Sequence, residues 1–192
     1  MVMNKIYAIV GMCGAGKSVV SDFLVKQGCE FLRFGQITLD EIKNRDLEPS
    51  EQLEREIREG FRKQHGMAAF AILNQPKIDS LLKQGSVVVD GLYSWSEYKV
   101  LKEKYGDQIK VIAVYASPKT RYSRITKRDD SDDPEMRNRR FTLEEAKARD
   151  KAEIENIEKG GPIAMADYTL HNDCTIEVLN KQLEVLWQKL NN

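Results

Sequence analysis

Gly11, Gly16, Lys17 and Ser18 occupy the fixed positions of the pattern G-x-x-x-x-G-K-[ST] in the run GMCGAGKS, which follows the apolar stretch Ile6 to Val10. That order of residue types is what holding a nucleoside triphosphate requires. Successive backbone N–H groups turn inward to form a nest around phosphate oxygens. Glycines at 11, 14 and 16 permit the turn and keep side chains from obstructing the approach. Lys17 supplies a point charge for the β- and γ-phosphates, and the Ser18 hydroxyl is expected on Mg²⁺. A helix beginning there aims the positive end of its dipole at the same group. The nucleotide contacts are expected at Gly11, Met12, Cys13, Gly14, Ala15, Gly16, Lys17, Ser18 and Val19.

Moving a phosphoryl group also requires a carboxylate to organise Mg²⁺, cations for the spreading charge, and a shell that excludes water. Asp90 closes the run Ser86-Val87-Val88-Val89 ahead of Gly91. An acid there can hold Mg²⁺ or orient an acceptor hydroxyl; an Asp that only caps the next turn has the same sequence appearance. Arg121, Arg124 and Arg128 are spaced three and four apart, so on a helix they share a face and can converge on phosphates, Arg128 foremost. The polar segment 128–141, containing Arg137, Arg139 and Arg140 and followed by Arg149, reads as a lid. Asp40, Glu41, Arg58, Arg62 and Lys63 are candidates for the acceptor side, in a helical region over about 36–84. For each arginine and each of these acids, a solvated surface ion pair is the competing reading.

The elements that must position these groups follow from hydrophobic spacing. Apolar runs predict strands at Ile6–Val10, Phe31–Phe34, Ser86–Asp90, Ile109–Tyr115 and Asp167–His171, the last an edge strand. Helices are predicted over Lys17–Gln27 with a stop at Gly28, over Trp95–Tyr105, and over Lys119–Lys127 behind Pro118. The spacing predicts two surface helices within Ile37–Phe61, broken near Pro49, and a helical segment Met67–Leu82 interrupted at Pro76. Thr142 and Glu145 make a capping box that opens a long charged helix. Leu179, Leu183, Leu186 and Leu190 mark a closing one. Strand and helix alternate, so the fold class is α/β: a three-layer α/β/α domain with a five-stranded parallel sheet, a small lid, and nucleotide at the carboxyl ends of the strands.

The chain has 192 residues, enough for one full-sized domain, and its 30 basic and 30 acidic residues cancel. A balanced charge does not favour nucleic acid, and any basic function must be local. No apolar stretch approaches a membrane span and no signal-peptide pattern opens the chain, so a cytoplasmic protein is expected. Cys13, Cys29 and Cys174 lack metal-ligand spacing and read as packing thiols; Cys13 in the phosphate loop also admits a redox role. His65 and His171 share no motif. The dinucleotide fingerprint G-x-G-x-x-G and the guanine-reading N-K-x-D are both absent.

The chain resembles the nucleoside monophosphate kinase and dephospho-CoA kinase group of P-loop kinases, in an adenylate-kinase-related branch. The resemblance spans nearly the whole sequence and rests on GMCGAGKS, RFGQITLDE, VVVDGLYS, SPKTRYSRITKRDDSDDP, ARD at 148–150 and MADYTLHND at 165–173. It implies that Asn172 and its neighbours line the base pocket and that Arg128 and Arg149 meet ATP phosphates; Arg124 is expected at the nucleotide from its helix face, and Gly35, Gly91 and Tyr93 are expected at the acceptor. The preference for ATP comes from the resemblance alone. Related kinases carry Asp and Arg where this chain has Gln36 and Leu39, and an Arg where it presents Leu92, Tyr93 and Ser94. They also carry a catalytic Asp at the end of strand two, leaving Asp40 or Asp90 to substitute. The donor side is thus kept and the acceptor side altered, since a tyrosine cannot clamp a phosphate as an arginine can.

The expected activity is ATP- and Mg²⁺-dependent phosphoryl transfer to a small nucleotide or nucleotide-like acceptor, with Lys17, Asp90 and Arg128 as catalytic groups and Ser18 and Asp90 at the metal. Two alternatives remain. One is a regulatory, nucleotide-sensing ATP-binding protein. The other is a kinase of polynucleotide ends, for which Tyr93, Trp95 and Tyr98 beside Lys99 and Lys102 are the only aromatic cluster.

Overall fold

A computed structural model describes residues 3–128 and 141–191. Five strands, β1 (Ile6–Val10), β2 (Glu30–Arg33), β3 (Val87–Asp90), β4 (Ile109–Tyr115) and β5 (Tyr168–His171), form one parallel sheet in the order β2-β3-β1-β4-β5. β1 is central and buried throughout. Its side chains alternate: Ile6, Ala8 and Val10 enter one core, Tyr7 and Ile9 the other. The first core contains α4 (Ala69–Leu81) and α5 (Trp95–Tyr105); the second contains α1 (Lys17–Lys26) and α9 (Ile176–Asn191). Helices on both faces of a parallel sheet give the expected three-layer α/β/α architecture.

Because every strand is parallel, their carboxyl ends share one edge. β1 ends at the phosphate loop. β2 ends at Arg33, in register with Asp90 at the end of β3. The remaining helices, α2 (Gln36–Asn44), α3 (Glu51–His65), α6 (Pro118–Thr126), α7 (Leu143–Glu155) and the short α8 (Gly160–Ala164), connect strand ends. Ser94 and Thr142 begin α5 and α7 with complete capping boxes. No helix among the described residues is long and apolar enough to cross a membrane.

One expectation fails. Pro76 does not interrupt its helix: α4 runs unbroken from Ala69 to Leu81. Phe70, Ala71 and Asn74 before the proline and Ile78 after it are all buried. Packing of both halves on the sheet outweighs the lost backbone hydrogen bond. The segment 129–140, with Arg137, Arg139, Arg140 and nearly all of the expected lid, lies outside the described residues.

Candidate active site

The phosphate loop leaves β1 and enters α1 at Gly16, which caps the helix with φ 98°. A Cβ on Gly16 would collide with the side-chain amide of Asn172, and one on Gly11 with the Val114 carbonyl. These two glycines therefore let the loop lie against the protein behind it, a reason different from the open approach to phosphate expected above. Asn172 is buried and donates from Nδ2 to the Ala15 carbonyl at 2.8 Å. Its Oδ1 accepts from Arg124 at 3.3 Å.

Arg121 turns away from any ligand and braces the loop. It donates to the carbonyls of Ala116 and Cys13 at 3.0 and 3.2 Å and forms a bidentate pair with Asp150 at 2.8 and 2.6 Å. Arg121 and Asp150 are both buried, and the Tyr122 hydroxyl adds a third bond to the carboxylate at 2.9 Å. The arginine face expected to converge on phosphate is thus divided. Arg121 is structural, Arg124 holds Asn172, and Arg128 reaches the cavity.

That cavity, about 630 Å³, runs from the loop across the ends of β2 and β3. Of the expected site residues, it brings together Cys13, Gly14, Gly16, Lys17, Ser18, Gly35, Arg58, Arg62, Asp90, Tyr93, Arg128 and Arg149. Gly11, Met12, Ala15, Val19, Arg124, Asn172, Asp40 and Gly91 are not on its wall. Val19 packs toward the core between α1 and α9, and Gly91 lies beneath the Tyr93 ring. Asp40 is exposed and accepts from Gln36 at 3.1 Å. Two residues along a helix is more than half a turn, so Thr38 and not Asp40 faces inward. Met12 contributes its carbonyl, which Lys17 Nζ meets at 3.3 Å.

Among the described residues, seven cationic side chains line the cavity (Lys17, Arg33, Arg58, Arg62, Arg128, Arg149 and Lys159) against three acids, Glu54, Asp90 and Glu153. In a chain of zero net charge this is a concentrated anion site. Three polar atoms in its wall are buried without hydrogen-bond partners: Asp90 Oδ1, Thr38 Oγ1 and Arg62 Nε. Such atoms cost free energy unless a ligand satisfies them. The Arg62 guanidinium is seated 5.6 Å from the Phe70 ring centre, and Arg58 pairs with Glu54 at 3.0 Å.

Arg33, Thr38, Glu54, Phe141, Glu153 and Lys159 were not marked by sequence reasoning. Arg33 had a signal, as the last residue of a strand two positions before Gly35. Lys159 had none. It lies beyond α7, buried, with Nζ 2.8 Å from Glu153 and 4.6 Å from the Tyr93 ring centre. Burial and the nearby charge of Lys17 pull its ammonium down to about 8. Burial pushes the Glu153 carboxyl up, yet Lys159 and Arg149 together hold it below its usual range. Burial, then the charge of Asp90, pushes the Tyr93 phenol well up, so it stays a neutral donor. Cys29 is buried and its thiol is pushed up to about 11, as suits a packing residue.

Mg²⁺ fits the donor set. Asp90 Oδ1 is an orphaned acceptor on the same wall as Ser18. Among the described residues no group of three or more His, Cys, Asp or Glu side chains could hold a metal. One carboxylate, one hydroxyl and the substrate's own phosphates are the usual Mg²⁺ environment.

The AAA domain family AAA_18 matches residues 8–159. A UPF0200 protein of Pyrococcus furiosus is 34% identical over 183 residues, covering 94% of this chain and 95% of that protein. Among solved structures, shikimate kinase from Bacteroides thetaiotaomicron superposes with a TM-score of 0.60 at 13% identity, covering 98% and 99% of the two chains. Dephospho-CoA kinase from Campylobacter jejuni gives 0.55 at 15% identity, covering 98% of each. At those identities the likeness is one of fold.

Proposed function

The chain belongs to the AAA_18 and UPF0200 families and has a P-loop kinase-like fold; on that premise we propose that it is an ATP-dependent phosphotransferase acting on a small nucleotide or nucleotide-like acceptor. One observation supports this above the others: a single cavity joins the phosphate loop to Asp90 and to the arginines of α3 and β2. Donor and acceptor would meet there with their reacting atoms side by side.

In this reading the loop N–H groups and Lys17 grip the triphosphate, while Arg128 and Arg149 neutralise charge that spreads over the transferring group. Ser18 and Asp90 would hold Mg²⁺, which would supply charge neutralisation for the phosphates when bound. Asp90 also stands where it can orient the acceptor hydroxyl. Arg33, Arg58 and Arg62 form the acceptor wall, with Thr38 Oγ1 as a neutral partner.

The test is a transfer screen with Mg-ATP against nucleoside monophosphates, nucleosides and dephospho-CoA, following ADP and phosphorylated acceptor separately. A labelled acceptor establishes the activity and names the substrate. Leu39 and Tyr93 on the cavity wall, where related kinases use arginine, favour a second reading, a nucleotide-sensing ATP-binding protein. ADP with free phosphate, or ATP binding without turnover across the panel, selects that one.

A further inference from the structure

Lys159 lines the cavity although its side chain is only 1% exposed. Its own N–H donates to the Glu153 carbonyl at 3.1 Å, so the backbone is pinned where the side chain must turn inward. The groups facing its ammonium are Glu153 and Arg149 from α7, Lys17 from α1, and the Tyr93 ring from the turn after β3. Glu153 is shared: it accepts from Lys159 at 2.8 Å and from Arg149 at 3.2 Å. Two cations thus divide one carboxylate while a third stands close enough to disfavour the charged form of Lys159. A buried ion pair made for stability alone would not be set among further cations, where repulsion works against it. The arrangement lacks an anion.

The missing anion has a definite place. Lys17 belongs to the β- and γ-phosphates, and Lys159 enters beside Tyr93, three residues past Asp90, at the strand ends where donor and acceptor would meet. We propose that Lys159 binds the terminal phosphate of the nucleoside triphosphate opposite Lys17, and that Glu153 holds Lys159 and Arg149 in place until that phosphate replaces its carboxylate. This rests on the kinase reading above. It assigns to Glu153 the part of an internal stand-in for phosphate and to Lys159 a direct ligand contact.

Calorimetric binding of Mg-AMPPNP and Mg-ADP to the wild type and to Lys159→Met, Lys159→Arg and Glu153→Gln tests it. Lys159→Met should weaken AMPPNP at least tenfold while changing ADP less than twofold, and Lys159→Arg should restore most of the loss. Glu153→Gln should tighten AMPPNP severalfold even though it lowers thermal stability, because a competing carboxylate is gone. At pH 8.5 the wild type should take up a proton on binding AMPPNP, read from buffers of different ionisation enthalpy; Lys159→Met should not. If Lys159→Met weakens both nucleotides equally, or Glu153→Gln weakens AMPPNP, the pair is structural and the assignment falls. Should Lys159→Met not fold, Lys159→Arg and Glu153→Gln decide the matter by the same signs. A wild type that binds neither nucleotide overturns the kinase reading as well, whereas one that binds both with Lys159→Met indistinguishable from it overturns only this inference.

Discussion

The two sides of the cavity, the proposed donor and acceptor walls, differ in how they are braced. Around the phosphate loop, carbonyls are tied down from behind: Ala15 by Asn172, Cys13 by Arg121, Met12 by Lys17. Across the cavity, Thr38 Oγ1 and Arg62 Nε are buried with no partner, and Asp90 Oδ1 at the boundary is likewise unsatisfied. A wall braced in this way holds one shape before its ligand arrives. The other wall stores unmet hydrogen-bonding capacity that a ligand must satisfy. On the kinase reading proposed above, the contrast means a pre-organised triphosphate side and an acceptor side that depends on a few charged side chains brought from separate elements.

The largest effect should come from Lys17, the side chain that the phosphate loop itself contributes. Lys17→Ala should lower kcat/KM at least about 100-fold. Its thermal midpoint should move by no more than a few degrees, since Lys17 is held within the fold by one long hydrogen bond, to the Met12 carbonyl. A coupled assay beside a melting curve checks both, and activity in the folded variant would refute the site. Next, Asp150→Ala leaves Arg121 buried without its partner. That should cost about 3–5 kcal/mol, roughly 6–20 °C in Tm for a chain of this size. A smaller loss would mean that the donor wall is not braced as described.

The acceptor side offers a pH test. Glu97 caps α5, accepting from the N–H groups of Tyr93 and Ser94 at 2.8 and 3.0 Å, yet burial raises its carboxyl from 4.5 to about 7. The folded state then binds more protons than the unfolded one between those values. Stability from this group is full below about pH 4.5 and is lost as pH rises through 7, a swing of about 3 kcal/mol. Glu97→Gln keeps the capping box and should flatten that slope in denaturant melts from pH 4 to 8. The smallest expected effect is Arg62→Gln, which should raise KM for the acceptor about tenfold, near 1.4 kcal/mol, and leave KM for ATP within twofold. Equal changes in both constants would erase the distinction between the walls.

The phosphate loop, the buried run ending at Asp90 and the alternation of strand and helix are all contiguous features, so hydrophobic period and local residue types determined them. Even there, the reason for glycine at 11 and 16 was not local. It depends on Val114 and Asn172, more than 100 residues away in sequence. Arg121, Arg124 and Arg128 share a helix face, but only the packing of α6 between the loop and α7 assigned them different partners. Thr38 in place of Asp40 was decided by which side of α2 meets the cavity. Pro76 could not break α4 because both halves are held against the sheet.

By itself the sequence determined that this chain presents a triphosphate-binding loop at the edge of a parallel α/β/α sheet, because that motif and those periods are read over neighbouring residues. Only tertiary structure decided which distant charges face that loop. Glu153 and Lys159 carry no local signature, and Arg33 only its place at a strand end. They become one site because parallel strands bring their carboxyl ends, and the helices that follow them, to the same edge.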